Sequence, residues 1–236
     1  MDRSIPPAAA ILLDFIRKTE VGRKDRASYD VIYAHKQNKL AKPLTSMTIG
    51  EIVDAQKSWS KNHGSSAAGG YQFMRATLID LSKELHLRGD QVFDPDLQDR
   101  LGYHLLKRRG YESFMAGTIS QEEFGKRLAQ EWASLPVLAA TRGATRMVGR
   151  GQSYYAGDGL NKALVDPVEL EMVLQVAKAA GNGHTAPSPY PEPQTPAEPK
   201  PAPVGKGGAI AALFAALAAA AYAAWDHITA FFGGLF

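Results

Sequence analysis

The sequence predicts a mostly helical α+β domain, followed by a proline-rich linker and a hydrophobic C-terminal helix. Apolar residues recur at helical spacing between recognisable start and stop residues along the first 181 positions. One short run of β-branched and aromatic residues, 29–33, indicates the small β element as a strand or hairpin arm. Near residue 183 the composition becomes proline-rich and then almost wholly apolar. These observations divide the 236 residues into a domain at 1–182, a linker at 183–208 and a hydrophobic helix at 209–236.

The first predicted helix covers residues 8–19 and ends beside Glu20. Its larger apolar side chains have the spacing of one buried face: Ile11, Leu12, Phe15 and Ile16. Glu20 lies four residues after Ile16 and so at the edge of that face. Partial desolvation there would raise the pKa of the carboxyl group and suit it to be a general acid. The alternative is an ordinary solvated glutamate before a helix stop at Gly22.

Capping patterns predict four further helices, and the spacing of apolar residues predicts a fifth at 71–87. Serine or threonine followed three residues later by glutamate, and aspartate followed by proline, mark the helix starts: Thr48, Asp94, Ser120 and Asp166. The predicted helices cover residues 48–60, 71–87, 95–110, 120–136 and 168–180. Between the first two, residues 61–70 are rich in serine, alanine and glycine, so this loop allows close approach of the backbone to a ligand.

The composition limits the available chemistry. There is no cysteine, which excludes disulfides, thiol nucleophiles and cysteine-ligated zinc. The six histidines have no metal-ligand spacing, so neither a metal site nor a cofactor is expected. A formal net charge of +3 suits an anionic polymer such as cell wall or nucleic acid. We expect no nucleic-acid partner, because no aromatic stacking motif is interleaved with Arg142, Arg146 and Arg150.

The hydrophobic segment 209–236 has three interpretations. As a helix, residues 209–232 would be about 36 Å long, enough to cross a hydrocarbon core about 30 Å thick. A membrane span is the favoured interpretation, and a helix in the membrane interface or one docked on a partner or core are the alternatives. Lys200 and Lys206 precede the segment and no basic residue follows it. The positive-inside rule therefore places the domain at 1–182 on the cytoplasmic side.

Four short blocks carry more information together than any one of them: Thr19-Glu20-Val21-Gly22, Tyr29-Asp30-Val31-Ile32, Ser66-Ala67-Ala68-Gly69-Gly70-Tyr71-Gln72-Phe73 and Glu131-Trp132-Ala133-Ser134-Leu135-Pro136. In this order the blocks resemble the family of the bacteriophage lambda endolysin, over roughly residues 10–150. The resemblance implies a lysozyme-like fold and cleavage of peptidoglycan. It also implies that Glu20 is the single catalytic glutamate of a lytic transglycosylase, whose products end in 1,6-anhydro-muramic acid.

Three other residues are candidates for the site. Asp30 is the possible second carboxylate that a hydrolytic muramidase would need beside Glu20, and its alternative role is to cap backbone amides. Tyr71 and Gln72 follow a glycine pair, and the resemblance places them in the substrate cleft. The alternative for Tyr71 is a core aromatic. Residues 131–132 are interpreted as structural.

The sequence thus predicts an endolysin-type enzyme whose partners are peptidoglycan glycan strands and, through the tail, a lipid membrane. Residues 1–7 lack the features of a secretory signal peptide. We expect the C-terminal helix to hold the protein at the inner membrane, and the enzyme to act on the periplasmic cell wall once the membrane is permeabilised. The alternative from another class is a non-enzymatic virion protein that binds cell wall or disrupts membranes.

Overall fold

Seven α-helices and one small sheet form the part of the chain that the computed structural model describes, residues 1–183. The helices are α1 (Pro7–Val21), α2 (Ile49–His63), α3 (Arg75–Glu84), α4 (Pro95–Arg108), α5 (Tyr111–Met115), α6 (Gln121–Glu131) and α7 (Pro167–Gly181). The strands β1 (Thr141–Arg142) and β2 (Met147–Val148) pair antiparallel, with Thr141 opposite Val148. The predicted class, mostly helical with a small β element, is confirmed.

Helix α1 packs against both α4 and α7. The predicted apolar face is buried at Leu12, Phe15 and Ile16, whereas Ile11 is only partly buried. The helix ends where Gly22 adopts a left-handed conformation (φ 73°) and donates its N–H to the Lys18 carbonyl at 2.9 Å. This ending leaves Glu20 on the last turn of a helix that the core holds firmly in place.

All four predicted cap residues accept a hydrogen bond from a backbone N–H of their helix: Thr48, Asp94, Ser120 and Asp166. At Thr48 the capping box is complete, because Glu51 also accepts the Thr48 N–H at 2.7 Å. At Ser120 it is half-formed, because the Glu123 carboxylate pairs with basic side chains of α6 instead. These four helices therefore start where the sequence predicts. Helix α6 ends at Glu131 rather than near Pro136, and α5 is not predicted by the sequence.

The strand predicted at residues 29–33 is wrong. This stretch forms two 3₁₀ turns, Arg26–Asp30 and Tyr33–His35, and its only ladder contact is an isolated bridge between Ile32 and Ala68. Four of these five side chains are buried: Tyr29, Val31, Ile32 and Tyr33. They do not alternate between a buried and a solvent-exposed face, as the side chains of a half-buried strand would. The β element lies instead at residues 141–148.

The helix predicted at residues 71–87 begins four residues later, at Arg75. Before it, Ala68 and Phe73 exchange backbone hydrogen bonds of 3.1 and 2.8 Å, which folds residues 68–73 into a tight turn. Gln72 completes this turn in a left-handed conformation, φ 50°. Gln72 therefore precedes α3 and does not belong to the helix that the apolar spacing predicts.

Residues 184–236 lie outside the described residues, and so do nearly all of the predicted linker and the whole hydrophobic segment at 209–236. Within residues 1–183, no helix combines the length and the apolar character that crossing a membrane requires.

Candidate active site

A cleft of about 730 Å³ opens beside the C-terminal end of α1. One wall comes from the end of α2 and the turn that follows it, and another from the segment after α6 and the loop before α7. Its lining includes Glu20, His63, Gln72, Phe73, Glu131, Trp132, Ser134, Leu160, Lys162 and Leu164. This combination of apolar walls and a few polar groups is typical of a ligand site.

Glu20 reaches the cleft from the last turn of α1 and remains partly exposed. Burial raises the pKa of its carboxyl group from 4.5 to about 7. The Ser134 hydroxyl, which donates a hydrogen bond to Glu20 Oε1, opposes this rise in pKa. No cationic side chain of residues 1–183 pairs with Glu20. Near neutral pH the group is therefore partly protonated, and it can both donate and accept a proton.

One turn earlier on α1, Arg17 anchors the helix through a buried polar network. Its guanidinium donates to the Tyr29 hydroxyl, to Tyr71 Oη at 3.0 Å and to Asp99 Oδ1 at 3.4 Å. Both tyrosines in turn donate to Asp99 Oδ1, at 2.8 and 2.6 Å. The network joins α1 to α4, and so fixes the direction in which Glu20 leaves the helix.

Two buried glutamines hold the turn that carries Gln72. Gln98 of α4 accepts the Gly70 N–H at 2.9 Å and donates to the carbonyls of Tyr29 and Phe93, both at 3.1 Å. Gln56 of α2 donates to the carbonyls of Ser66 and Phe73 at 2.6 and 2.9 Å. These bonds satisfy backbone groups that would otherwise be buried without partners.

Glycine is required where this turn meets the core. A Cβ at Gly69 would lie 2.3 Å from Gln98 Oε1, and one at Gly70 would lie 2.7 Å from Arg17 Cδ. Gln72 lines the cleft, its amide donates to the Gly69 carbonyl at 2.7 Å, and its role in substrate binding stays a prediction. The glycine pair thus has a packing role in addition to any approach of a ligand.

Tyr71 lies beneath the cleft surface. Its side chain is 1 % exposed, its hydroxyl belongs to the Arg17 network, and its carbonyl accepts a hydrogen bond from Trp132 Nε1 at 3.2 Å. Its atoms border the cleft, but its polar group points into the core. The geometry therefore favours the alternative that the sequence left open, a core aromatic, and the role of Tyr71 in substrate binding stays a prediction.

Two other carboxylates, the candidate Asp30 and Glu131, which the sequence predicts to be structural, differ from Glu20 in their partners. Asp30 is absent from the cleft lining, and its Oδ1 accepts the Thr45 N–H at 2.8 Å. Glu131 lines the cleft, but its carboxylate accepts a 2.7 Å hydrogen bond from Arg109 Nε in an ion pair. Among the carboxylates that line the cleft within residues 1–183, Glu20 is thus the one without a cationic partner.

Sequence reasoning missed the partner of Glu20 and the rim of the cleft. Ser134 belongs to the last of the four blocks, yet no local pattern indicates a contact across 114 positions. The rim is the loop 154–165, where Leu160 and Leu164 are 80 % and 65 % exposed. The Leu164 N–H donates to the Ser134 carbonyl at 2.8 Å, so the rim is attached to the segment that contacts Glu20.

Comparisons with known proteins give one finding that bears on this site. A protein-family model described as Endolysin matches residues 10–159, which is more than half of the chain. The matched region contains Glu20, Gln72, Glu131 and Ser134, and it ends just before the rim residues Leu160 and Leu164. No curated protein and no solved structure matches the chain.

Proposed function

The chain belongs to the endolysin family, and from that premise we propose that it is a lytic transglycosylase. Its substrate would be the β-1,4 bond between N-acetylmuramic acid and N-acetylglucosamine in peptidoglycan. Glu20 would act first as general acid and then as general base. The observation that carries this proposal is that Glu20 lines the cleft with a raised pKa and has no cationic partner within residues 1–183.

In the first step, protonated Glu20 gives its proton to the bridging oxygen, which leaves with the N-acetylglucosamine as its bond to C1 of muramic acid breaks. In the second step, the Glu20 carboxylate accepts the proton of the C6 hydroxyl of muramic acid, and the C6 oxygen bonds to C1. The product is a 1,6-anhydro ring, no water is consumed, and Glu20 ends protonated as it began.

The protein environment suits both steps. A pKa of about 7 keeps part of the Glu20 population protonated at neutral pH, as the first step requires. The Ser134 hydroxyl donates to the carboxylate and so supports the ionised form that acts in the second step. One group with these properties can serve as acid and base in turn.

The carboxylates around the cleft favour transglycosylation over hydrolysis. Glycosidases that use water commonly need two carboxylates about 5 to 9.5 Å apart, one of them free to act as base or nucleophile. Asp30 does not line the cleft, and Glu131 is bound to Arg109. Transglycosylation needs no second carboxylate, because the sugar supplies its own nucleophile.

The decisive experiment is mass spectrometry of the products that the full chain releases from purified peptidoglycan. We expect muropeptides that end in 1,6-anhydro-muramic acid. Glu20→Gln should lower the rate by about 10²- to 10⁴-fold, the usual worth of a general acid or base. Asp30→Asn is the matched control, because its amide oxygen can still accept the Thr45 N–H, and it should change the rate less than about twofold.

Other outcomes have distinct meanings. Products heavier by one water, together with a large loss in Asp30→Asn, would identify a muramidase that uses both Glu20 and Asp30. Products that persist in Glu20→Gln would remove Glu20 from the chemistry. Absence of any product would favour a cell-wall-binding protein that is not an enzyme.

A further inference from the structure

Three basic side chains meet at the end of the cleft where α2 stops. His63 lines the cleft, and its ring stacks on Tyr33 with 5.1 Å between centroids. Lys36 Nζ lies 3.5 Å from His63 Nδ1 and 5.4 Å from the centroid of the Tyr33 ring. Lys39 is close enough for its charge to act on His63. We name Lys36, Lys39 and His63 the basic cluster.

The basic cluster has no counter-charge within the described residues. None of its three members forms an ion pair in residues 1–183. Partial desolvation and the charges of Lys36 and Lys39 lower the pKa of His63. Adjacent like charges are unfavourable, and a bound anion would remove the repulsion.

The backbone beside the cluster is strained. Ala34 and His35 both adopt left-handed conformations, with φ values of 49° and 55°, although neither is glycine. Residues with a Cβ are disfavoured in this conformation, and strain of this kind is concentrated at functional sites. The strained pair joins Tyr33 to Lys36, so it forms the connection that brings Lys36 over the Tyr33 ring and beside His63.

We propose that the basic cluster binds a carboxylate of the peptide stem that peptidoglycan carries on its muramic acid. The inference rests on the proposed function, because it assumes that a glycan strand occupies the cleft. His63 lines the same cleft as Glu20, so an anion at the cluster would be covalently attached to the strand being cut. Carboxylates are the anionic groups that such a stem presents, and lysine binds them as a point charge.

The kinetic test compares two substrates: glycan strands whose peptide stems keep their free carboxylates, and the same strands with those carboxylates converted to amides. The double variant Lys36→Gln/Lys39→Gln should raise KM on the strands with free carboxylates roughly five- to tenfold, the worth of one or two exposed charge contacts. On the amidated strands it should match the unsubstituted protein. Lys107→Gln is the matched control, since Lys107 also lies over a tyrosine ring, 5.0 Å from that of Tyr103, but outside the cleft lining.

The outcomes separate this inference from the proposed function. If the unsubstituted protein cuts both substrates and the double variant behaves like it on both, the inference is wrong and the function stands. An equal rise in KM on both substrates would also overturn it, because the cluster would then act on a part of the strand other than the stem carboxylates. If the unsubstituted protein releases no 1,6-anhydro product from the strands with free carboxylates, it is the proposed function that fails.

A binding measurement decides the question independently of turnover. The imidazole of His63 can be titrated by NMR in the full chain carrying Glu20→Gln, with and without a purified disaccharide-peptide monomer. A carboxylate at the cluster should raise the pKa of His63, since it favours the imidazolium form. The same monomer with its stem carboxylates converted to amides should leave the pKa of His63 unchanged. An equal rise with inorganic phosphate at the same concentration would show general anion attraction only and overturn the assignment.

Discussion

Two charged side chains lie one turn apart on α1 and have opposite surroundings. Arg17 is 3 % exposed and contacts Asp99, two tyrosine hydroxyls and a backbone carbonyl. Glu20 borders the cleft, and within residues 1–183 its side chain has one hydrogen-bond partner, the hydroxyl of Ser134. The first arrangement pairs a buried charge, and the second leaves a partly desolvated carboxylate with no opposite charge among the described residues.

The difference explains why one site is structural and the other is reactive. In a buried ion pair that keeps its hydrogen bonds, the attraction between the two charges offsets the cost of removing them from water. A carboxylate that is desolvated without a cation instead has its pKa raised, here to about 7, where a proton moves easily at neutral pH. Helix α1 therefore carries both Arg17, which has a structural role, and Glu20, which can donate and accept a proton.

The largest effect on stability is expected when Arg17 loses its buried partner Asp99. Asp99→Asn would leave the Arg17 guanidinium without its buried counter-charge, and we expect a loss of about 3 to 5 kcal/mol in the free energy of unfolding. Asp14→Asn is the matched control. Asp14 also contacts Arg17, but its side chain is 45 % exposed, so its loss should cost less than about 1 kcal/mol. Urea denaturation of both variants measures the difference, and equal losses would contradict the comparison.

Glu20→Gln should change the free energy of unfolding in the opposite direction from Asp99→Asn. Because the folded-state pKa of about 7 lies above the ordinary 4.5, the stability contributed by protonated Glu20 is complete below pH 4.5 and is lost as the pH rises through 7. Glu20→Gln removes this loss and can keep the bond to Ser134. At pH 8 it should be more stable than the unsubstituted protein, by up to about 3 kcal/mol.

Urea denaturation at pH 8 and pH 4 tests the reversal. The gain from Glu20→Gln should be absent at pH 4, where the glutamate is already protonated. A destabilised variant at pH 8 would show that Glu20 contributes to folding as Asp99 does.

The sequence contains local signals that predict the position of Glu20 at the end of α1. It contains none that predict the hydrogen-bond network around Arg17. Apolar spacing and the Gly22 stop are local, so they predict the end of α1 and the position of Glu20 on its last turn. The Arg17 network joins residues 12 to 82 positions apart, and Asp99 lies in a helix whose pattern indicates only an apolar face. Local periodicity carries no information on such pairings.

The same reason explains the two wrong secondary-structure predictions. The segments 29–33 and 71–74 are apolar enough for regular structure, but both are shaped by distant polar groups, chiefly the side chains of Gln56 and Gln98. Those glutamines accept and donate in place of a strand ladder or a helical turn. The buried partner of Tyr71, Asp99, is likewise distant in the sequence, so the pattern around Tyr71 does not indicate that its hydroxyl points into the core.

Ser134→Ala is expected to have the smallest effect of these variants, a shift in the pKa of Glu20. The Ser134 hydroxyl stabilises the carboxylate form and so holds the pKa of Glu20 below what burial alone would give. Without it the pKa rises, and Glu20 stays protonated to higher pH.

The alkaline limb of kcat/KM should therefore move to higher pH in Ser134→Ala, while the rate at low pH falls less than about tenfold, the worth of one hydrogen bond. Ser153→Ala is the matched control. Its hydroxyl donates to the neighbouring Ala133 carbonyl at 2.7 Å and does not contact Glu20, so the limb should stay in place. A limb that stays in place in Ser134→Ala too would mean that burial alone sets the pKa of Glu20, and that Ser134 serves only to hold its segment against the end of α1.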